Sequence, residues 1–93
     1  PDTPIVVTEF GYPAFHGITG GTAGEARQAE CLAAEYAGIR KAESAGAVVW
    51  CWADHPWPKA MDQELRTSPY GVVTRSRSPK AAAESIRACF LSE

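Results

Sequence analysis

A single carboxylate follows a short apolar segment near the start of the sequence. Residues 4–7 suit a buried strand, and they run through Thr8 into Glu9. An ionised carboxylate is costly to desolvate, so its place beside a buried strand needs a reason. Local features leave two reasons open: a structural salt bridge at the rim of a sheet, or a catalytic carboxylate that faces a cleft. Gly11 leaves room for other groups to approach, and we favour the catalytic interpretation.

Three tryptophans and a second carboxylate lie close together in the middle of the chain. Trp50 and Trp52 fall on the same side of a predicted strand, because side chains alternate along it. That strand runs into Asp54, and Trp57 follows in the next loop. Tryptophan in a strand more often belongs to the core. Here, however, rings beside carboxylates are what a sugar-binding cleft needs, and we expect Trp50 to lie nearest the bond that is cleaved.

The loop after Glu9 adds Tyr12 and His16 as further candidate contacts to substrate. His16 and His55 could instead bind a metal ion together with the two carboxylates, but their spacing matches no metal-binding motif. No serine or cysteine stands in a nucleophile motif, and the glycine-rich residues 20–24 lack the lysine of a phosphate-binding loop. We therefore predict no metal and no other cofactor.

Composition narrows the class of partner. The chain has 93 residues and a net charge of −2, which suits one small domain and gives no general electrostatic case for nucleic acid. The basic residues between Lys59 and Lys80 alternate with acids and hydroxyls, so we expect them on a solvated face. No apolar run approaches the ~20 residues of a membrane span. The three cysteines read as structural thiols, and no targeting segment indicates a compartment.

The elements expected to position these residues alternate between strands and helices. We predict a strand over 4–9, a helix over 25–44, a strand over 47–52 and a helix over 79–91. The first strand is apolar on both faces, which is typical of a parallel sheet covered on each side.

Local signals mark the ends of both helices. Thr22 and Glu25 have the spacing of a capping box, and Gly46 is placed for the left-handed position after the first helix. Ser78 is expected to cap the second helix, with Pro79 at its first position.

Both loops that follow a strand are long, whereas the turn from the first helix to the second strand is short. In parallel α/β proteins, the loops at the carboxyl ends of the strands build the active site. This asymmetry predicts that Glu9 and the segment from Trp50 to Asp54 lie at the same functional edge.

The sequence also contains, in this order, three segments: PIVVTEFGY, GAVVWCWAD and YGVVTRSRSPKAAAESIRACF. Together they resemble the C-terminal end of clan A glycoside hydrolases, most of all glycoside hydrolase family 2, which includes β-galactosidases and β-glucuronidases. The resemblance implies that the chain is α/β and forms the last two strand–helix units of a TIM (β/α)8 barrel. It also implies that Glu9 is the nucleophile of a retaining β-glycosidase and that Trp50 lines the sugar subsite.

The same resemblance implies that part of the active site is missing from residues 1–93. A retaining glycosidase needs a second carboxylic acid ~5–5.5 Å from the nucleophile. In the family this acid follows an asparagine, and the sequence contains no asparagine. We therefore expect an inactive fragment whose partners are a carbohydrate and either the rest of the barrel or another copy of itself. A non-catalytic carbohydrate-binding or self-associating module and a metal-dependent hydrolase are the alternatives.

Overall fold

The computed structural model describes residues 3–15, 24–57 and 67–92. In chain order, its elements are β1 (Val6–Phe10), α1 (Glu25–Lys41), β2 (Gly46–Val49), β3 (His55–Pro56), β4 (Thr67–Ser68) and α2 (Ala81–Leu91). The alternation of strand and helix confirms the predicted α/β class. The short antiparallel pair β3–β4 lies within the second long loop and was not predicted.

Strands β1 and β2 pair in parallel, as expected, but with an irregular register. Val7 lies opposite Ala47 and Phe10 lies opposite Val49, so β1 has one more residue than β2 between the two pairs. This bulge breaks the period of two. As a result, Val7 and Phe10 both pack against the core, and Glu9 is exposed. The strict alternation assumed from the sequence, with Val7 and Glu9 on one side, is therefore wrong.

The core lies between the sheet and the two helices. Leu32 and Tyr36 of α1 pack with Ile86 of α2 and with Phe10 of β1, and the rings of Phe10 and Tyr36 are 6.2 Å apart. Val6 and Val48 are more than half exposed, so the described helices cover only one face of this sheet. The cover predicted for its other face is absent from the described residues. Neither described helix is both long and apolar enough to cross a membrane.

The C-terminal end of α1 has a different cap from the one expected. The helix ends at Lys41, and Glu43 takes the left-handed conformation with φ 59°. The amides of Glu43 and Ser44 then donate to the carbonyl oxygens of Arg40 and Ile39, which is the Schellman pattern. Gly46 instead opens β2. The helix is therefore shorter than the predicted 25–44.

Helix α2 begins two residues later than the predicted 79–91. Pro79 forms an antiparallel bridge with Val73, and Lys80 is the N-cap residue. The amide of Ala81 donates to Oε1 of Glu25 at 2.8 Å, so an acidic residue at the start of α1 caps α2. Thr22, the other half of the expected capping box, lies outside the described residues.

The segment predicted as a strand over 47–52 keeps strand geometry only as far as Val49. The amide of Cys51 then donates to the carbonyl oxygen of Tyr70, and the amides of Val72 and Val73 donate to the carbonyl oxygen of Trp52. The backbone thus leaves β1 and pairs with residues 70–73 instead. The peptide bond between Trp50 and Cys51 is cis.

Candidate functional site

Glu9 and Trp50 lie at the same edge of the parallel sheet. Phe10 and Val49 form the last pair of the ladder, and Glu9 precedes Phe10 whereas Trp50 follows Val49. The amide of Trp50 donates to the carbonyl oxygen of Phe10 at 2.7 Å. The carboxyl ends of both strands therefore present an exposed carboxylate and a partly exposed indole beside each other along the backbone.

Gly11 permits this close approach of the two strand ends. A β-carbon at this position would collide with the carbonyl oxygen of Trp50. The backbone N–H of Gly11 also donates to the Glu35 carboxylate of α1. Partial burial raises the pKa of Glu35, and the hydrogen bond from Gly11 offsets part of that rise. The room that the sequence predicted at Gly11 is thus filled by backbone from the neighbouring strand end.

Three aromatic side chains form a continuous row beside this edge. The ring of His55 lies edge-to-face with Trp50 at 5.9 Å and with Trp57 at 6.3 Å between ring centroids. Trp50 is 44% exposed and Trp57 is 52% exposed. The two indoles are thus in contact with the same imidazole and partly open to solvent, which suits stacking of an apolar ligand face.

The ring contact described for Trp52 is with a cation and not with this aromatic row. Its ring lies under the guanidinium group of Arg77, whose Cζ is 4.8 Å from the ring centroid. β2 ends at Val49, so the strand alternation from which a common side for Trp50 and Trp52 was predicted does not extend to these two residues.

Asp54 is buried and forms part of the framework beneath the loops. Its Oδ1 accepts hydrogen bonds from the amide of Gly71 and from Nζ of Lys80, each at 2.8 Å. Lys80 Nζ also donates to the carbonyl oxygens of Ala14 at 2.7 Å and Pro69 at 3.3 Å. The expectation that the basic residues up to Lys80 form a solvated face is wrong for Lys80, which is 3% exposed.

Gln28 is a second buried polar residue that the sequence analysis missed. Its Nε2 donates to the carbonyl oxygens of Tyr12 and Gly71, each at 3.0 Å. A signal for it was present, because Gln28, Leu32 and Tyr36 recur every four residues along the buried stripe of α1. Tyr12, a predicted sugar contact, is half-buried and packs against the core.

Cys51 and His55 are neighbours, but the thiol is poorly suited to nucleophilic chemistry. Its Sγ lies 3.9 Å from Nδ1 of His55. Burial and the nearby Asp54 carboxylate raise the pKa of Cys51, so the thiol form is favoured over the reactive thiolate. Across the three described ranges, no group of three His, Cys, Asp or Glu side chains is arranged to hold a metal ion. His16 lies outside those ranges.

Comparisons with known proteins place this fold within larger enzymes. No protein-family model matches the sequence, and no curated protein sequence matches it significantly. Among solved structures, a family 2 β-galacturonidase from Eisenbergiella tayi, bound to galacturonate, matches 97% of this chain with a TM-score of 0.86 and 21% identity. A β-glucuronidase from Bifidobacterium dentium matches 96% with a TM-score of 0.81 and 27% identity.

A β-glucuronidase from Ruminococcus gnavus matches 90% of the chain with a TM-score of 0.78 and 30% identity. The chain spans only 15–17% of the length of these enzymes. It therefore has the fold of one segment of glycoside hydrolase family 2 proteins.

Proposed function

We propose that this chain is the nucleophile-bearing, C-terminal part of the (β/α)8 barrel of a retaining β-glycoside hydrolase. The observation that carries the proposal is the shared edge of the parallel strands, where Glu9 and Trp50 flank the Phe10–Val49 pair. The similarity to a segment of family 2 enzymes and the one uncovered face of the sheet support it. Residues 1–93 would then supply the last two of eight strand–helix units.

In this proposal, Glu9 attacks the anomeric carbon of a β-glycoside. The bond from that carbon to the aglycone oxygen breaks, and a carboxylic acid from another part of the complete chain protonates the leaving oxygen. Water then attacks the glycosyl ester with the same residue acting as base, which releases the sugar and restores the Glu9 carboxylate. The isolated chain lacks that acid and is expected to be inactive.

Trp50 and Trp57 are the side chains we assign to sugar stacking, because their exposed rings belong to one row. Asp54 and the half-buried Tyr12 are better suited to holding the loops than to contacting hydroxyl groups. The implied partners are a carbohydrate and the remainder of the barrel, which would cover the exposed Val6 and Val48.

The experiment compares Glu9→Gln with Glu30→Gln in the complete chain, meaning the full reading frame that encodes this segment. Glu30 is an exposed acid on α1 and serves as the matched control. We expect Glu9→Gln to lower kcat by several orders of magnitude, since an amide cannot act as the nucleophile, and Glu30→Gln to retain activity. Full turnover by Glu9→Gln would refute the proposal. If the unsubstituted complete chain shows no turnover but binds sugar, and this binding is lost in Trp50→Ala but unchanged in Glu9→Gln, the binding module is favoured.

A further inference from the structure

Lys80 makes a set of contacts that links three separate parts of the chain. An ammonium group has three N–H donors, and Lys80 Nζ has three acceptors: Ala14 O, Asp54 Oδ1 and Pro69 O. Its side chain is fully buried, and so is nearly all of Asp54. Burying a charge is costly unless it is paired and hydrogen-bonded, and both conditions hold here.

The acceptors of Lys80 belong to the two loops that leave the candidate site. Ala14 lies in the loop after β1, beyond Glu9, and Asp54 lies in the loop after β2, beyond Trp50. The loops also meet directly, because the amide of Ala14 donates to the carbonyl oxygen of Pro69 at 2.9 Å. Lys80 therefore joins the two loops a few residues beyond the strand ends, which the sheet already holds together.

Gln28 links the same two loops from the other helix. It bridges Tyr12 of the first loop and Gly71 of the second, and the amide of Gly71 in turn donates to Asp54. The two loops are thus connected twice, once from α1 and once from the N-cap of α2.

We propose that Lys80 and Asp54 are positioning residues for the active site, a role that rests on the proposed function. They hold the loop that carries His55 and Trp57 in place relative to Glu9, whereas Trp50 is already held beside Glu9 by the sheet. An apolar pair of the same size would fill the space but would give neither loop a directed hydrogen bond. Displacement of catalytic groups by about 1 Å can reduce the rate about 100-fold.

The test compares Lys80→Met with Arg87→Met in the complete chain. Methionine approximates the length of the lysine stem without its charge, and Arg87 is an exposed cation of α2, paired only at the surface with Glu84 among the described contacts. We expect Lys80→Met to lower both stability and kcat/KM, the latter by about 100-fold. Arg87→Met should change neither appreciably.

The double variant Lys80→Met/Asp54→Asn separates positioning from stability. It removes the unpaired buried charge but keeps an acceptor for the amide of Gly71, so stability should recover towards that of the wild type. If kcat/KM stays about 100-fold low in this variant, positioning is supported. If kcat/KM recovers together with stability, the role of Lys80 is structural only and the inference is overturned.

Amide hydrogen exchange tests the same inference without any activity. In the double variant, the amide of Ala14 should exchange faster, whereas the amide of Trp50, held by Phe10, should stay protected. Unchanged exchange at Ala14 would overturn the inference. The exchange rates do not depend on which residue is the nucleophile. If the Glu9→Gln experiment refuted the nucleophile assignment, exchange at Ala14 would still show whether Lys80 and Asp54 hold the two loops together.

Discussion

The backbone N–H of Trp50 donates a 2.7 Å hydrogen bond to the carbonyl oxygen of Phe10, the residue that follows Glu9. This bond joins the ends of β1 and β2 and brings the candidate nucleophile and the candidate sugar platform to one edge. Because the bond is between backbone groups, side-chain substitutions at Glu9 or Trp50 should leave it in place. Each position can therefore be tested separately.

Gly11→Ala should disturb this edge of the sheet. A methyl group at Gly11 would collide with the carbonyl oxygen of Trp50, which must move away. We expect kcat/KM of the complete chain to fall about 100-fold, the scale of a 1 Å displacement. Gly46→Ala in β2 is the control, because nothing lies within 4 Å of its added methyl group. Equal kinetics for the two variants would show that the contact at Gly11 does not set the site.

Trp50→Ala and Trp52→Ala should have unequal effects on catalysis. Trp50 belongs to the exposed aromatic row, whereas one face of Trp52 is covered by Arg77. We expect Trp50→Ala to cost about 1–3 kcal/mol of transition-state stabilisation, the range known for aromatic stacking on nucleic-acid bases, and Trp52→Ala to cost less. The measurement is kcat/KM of both variants on one substrate. A larger loss of kcat/KM for Trp52→Ala would contradict the assignment, because it would indicate that Trp52 and not Trp50 contacts the sugar.

Glu35→Gln should raise stability in a way that depends on pH. The native pKa of Glu35 lies above its ordinary value of 4.5, so the native state holds this proton more tightly than the unfolded state does. The wild type should therefore lose stability as pH rises through the window between those two pKa values. Glutamine carries no charge and can still accept from Gly11.

The unfolding midpoints of wild type and Glu35→Gln are to be compared below pH ~4 and near pH ~7. The advantage of the variant should be larger at the higher pH, and Glu30→Gln controls for loss of a charge on α1. A pH-independent difference would contradict the assignment of desolvation as the main cause.

Gly71→Ala and Gly38→Ala should change stability in opposite directions. A methyl group at Gly71 would collide with the peptide group between Ala53 and Asp54 and with the carbonyl oxygen of Val73, so these backbone segments would have to move apart. Gly38 lies within α1 with nothing within 4 Å, and alanine there should stabilise the helix by about 0.5–1 kcal/mol. Thermal unfolding of both variants checks the pair, and a Gly71→Ala variant as stable as the wild type would contradict the described packing.

The order of the elements could be predicted from the sequence because it depends on local signals. Apolar β-branched runs, helical periodicity and long loops after strands gave two parallel strands with Glu9 and Trp50 at one edge. The side-chain directions could not be predicted in the same way. The bulge in β1 and the end of β2 at Val49 interrupt the regular alternation of side chains that the predictions for Val7 and Trp52 assumed.

The roles of Asp54 and Lys80 depend on contacts between distant parts of the chain. Their pairing joins residues 26 positions apart, and Gln28 binds Gly71 across 43 positions. A local sequence pattern cannot distinguish a buried, paired lysine from the solvated lysine that is far more common. The buried stripe of α1 was a usable signal for Gln28, whereas nothing comparable marked Lys80.

In the proposed mechanism, Glu9 forms a covalent bond to the sugar. The most direct measurement incubates the complete chain with a 2-deoxy-2-fluoro-β-glycoside that carries a good leaving group, followed by peptide mass spectrometry. We predict one fluoroglycosyl adduct on the peptide that contains Glu9, and no adduct in Glu9→Gln. An active complete chain whose adduct lies on another carboxylate would contradict the claim.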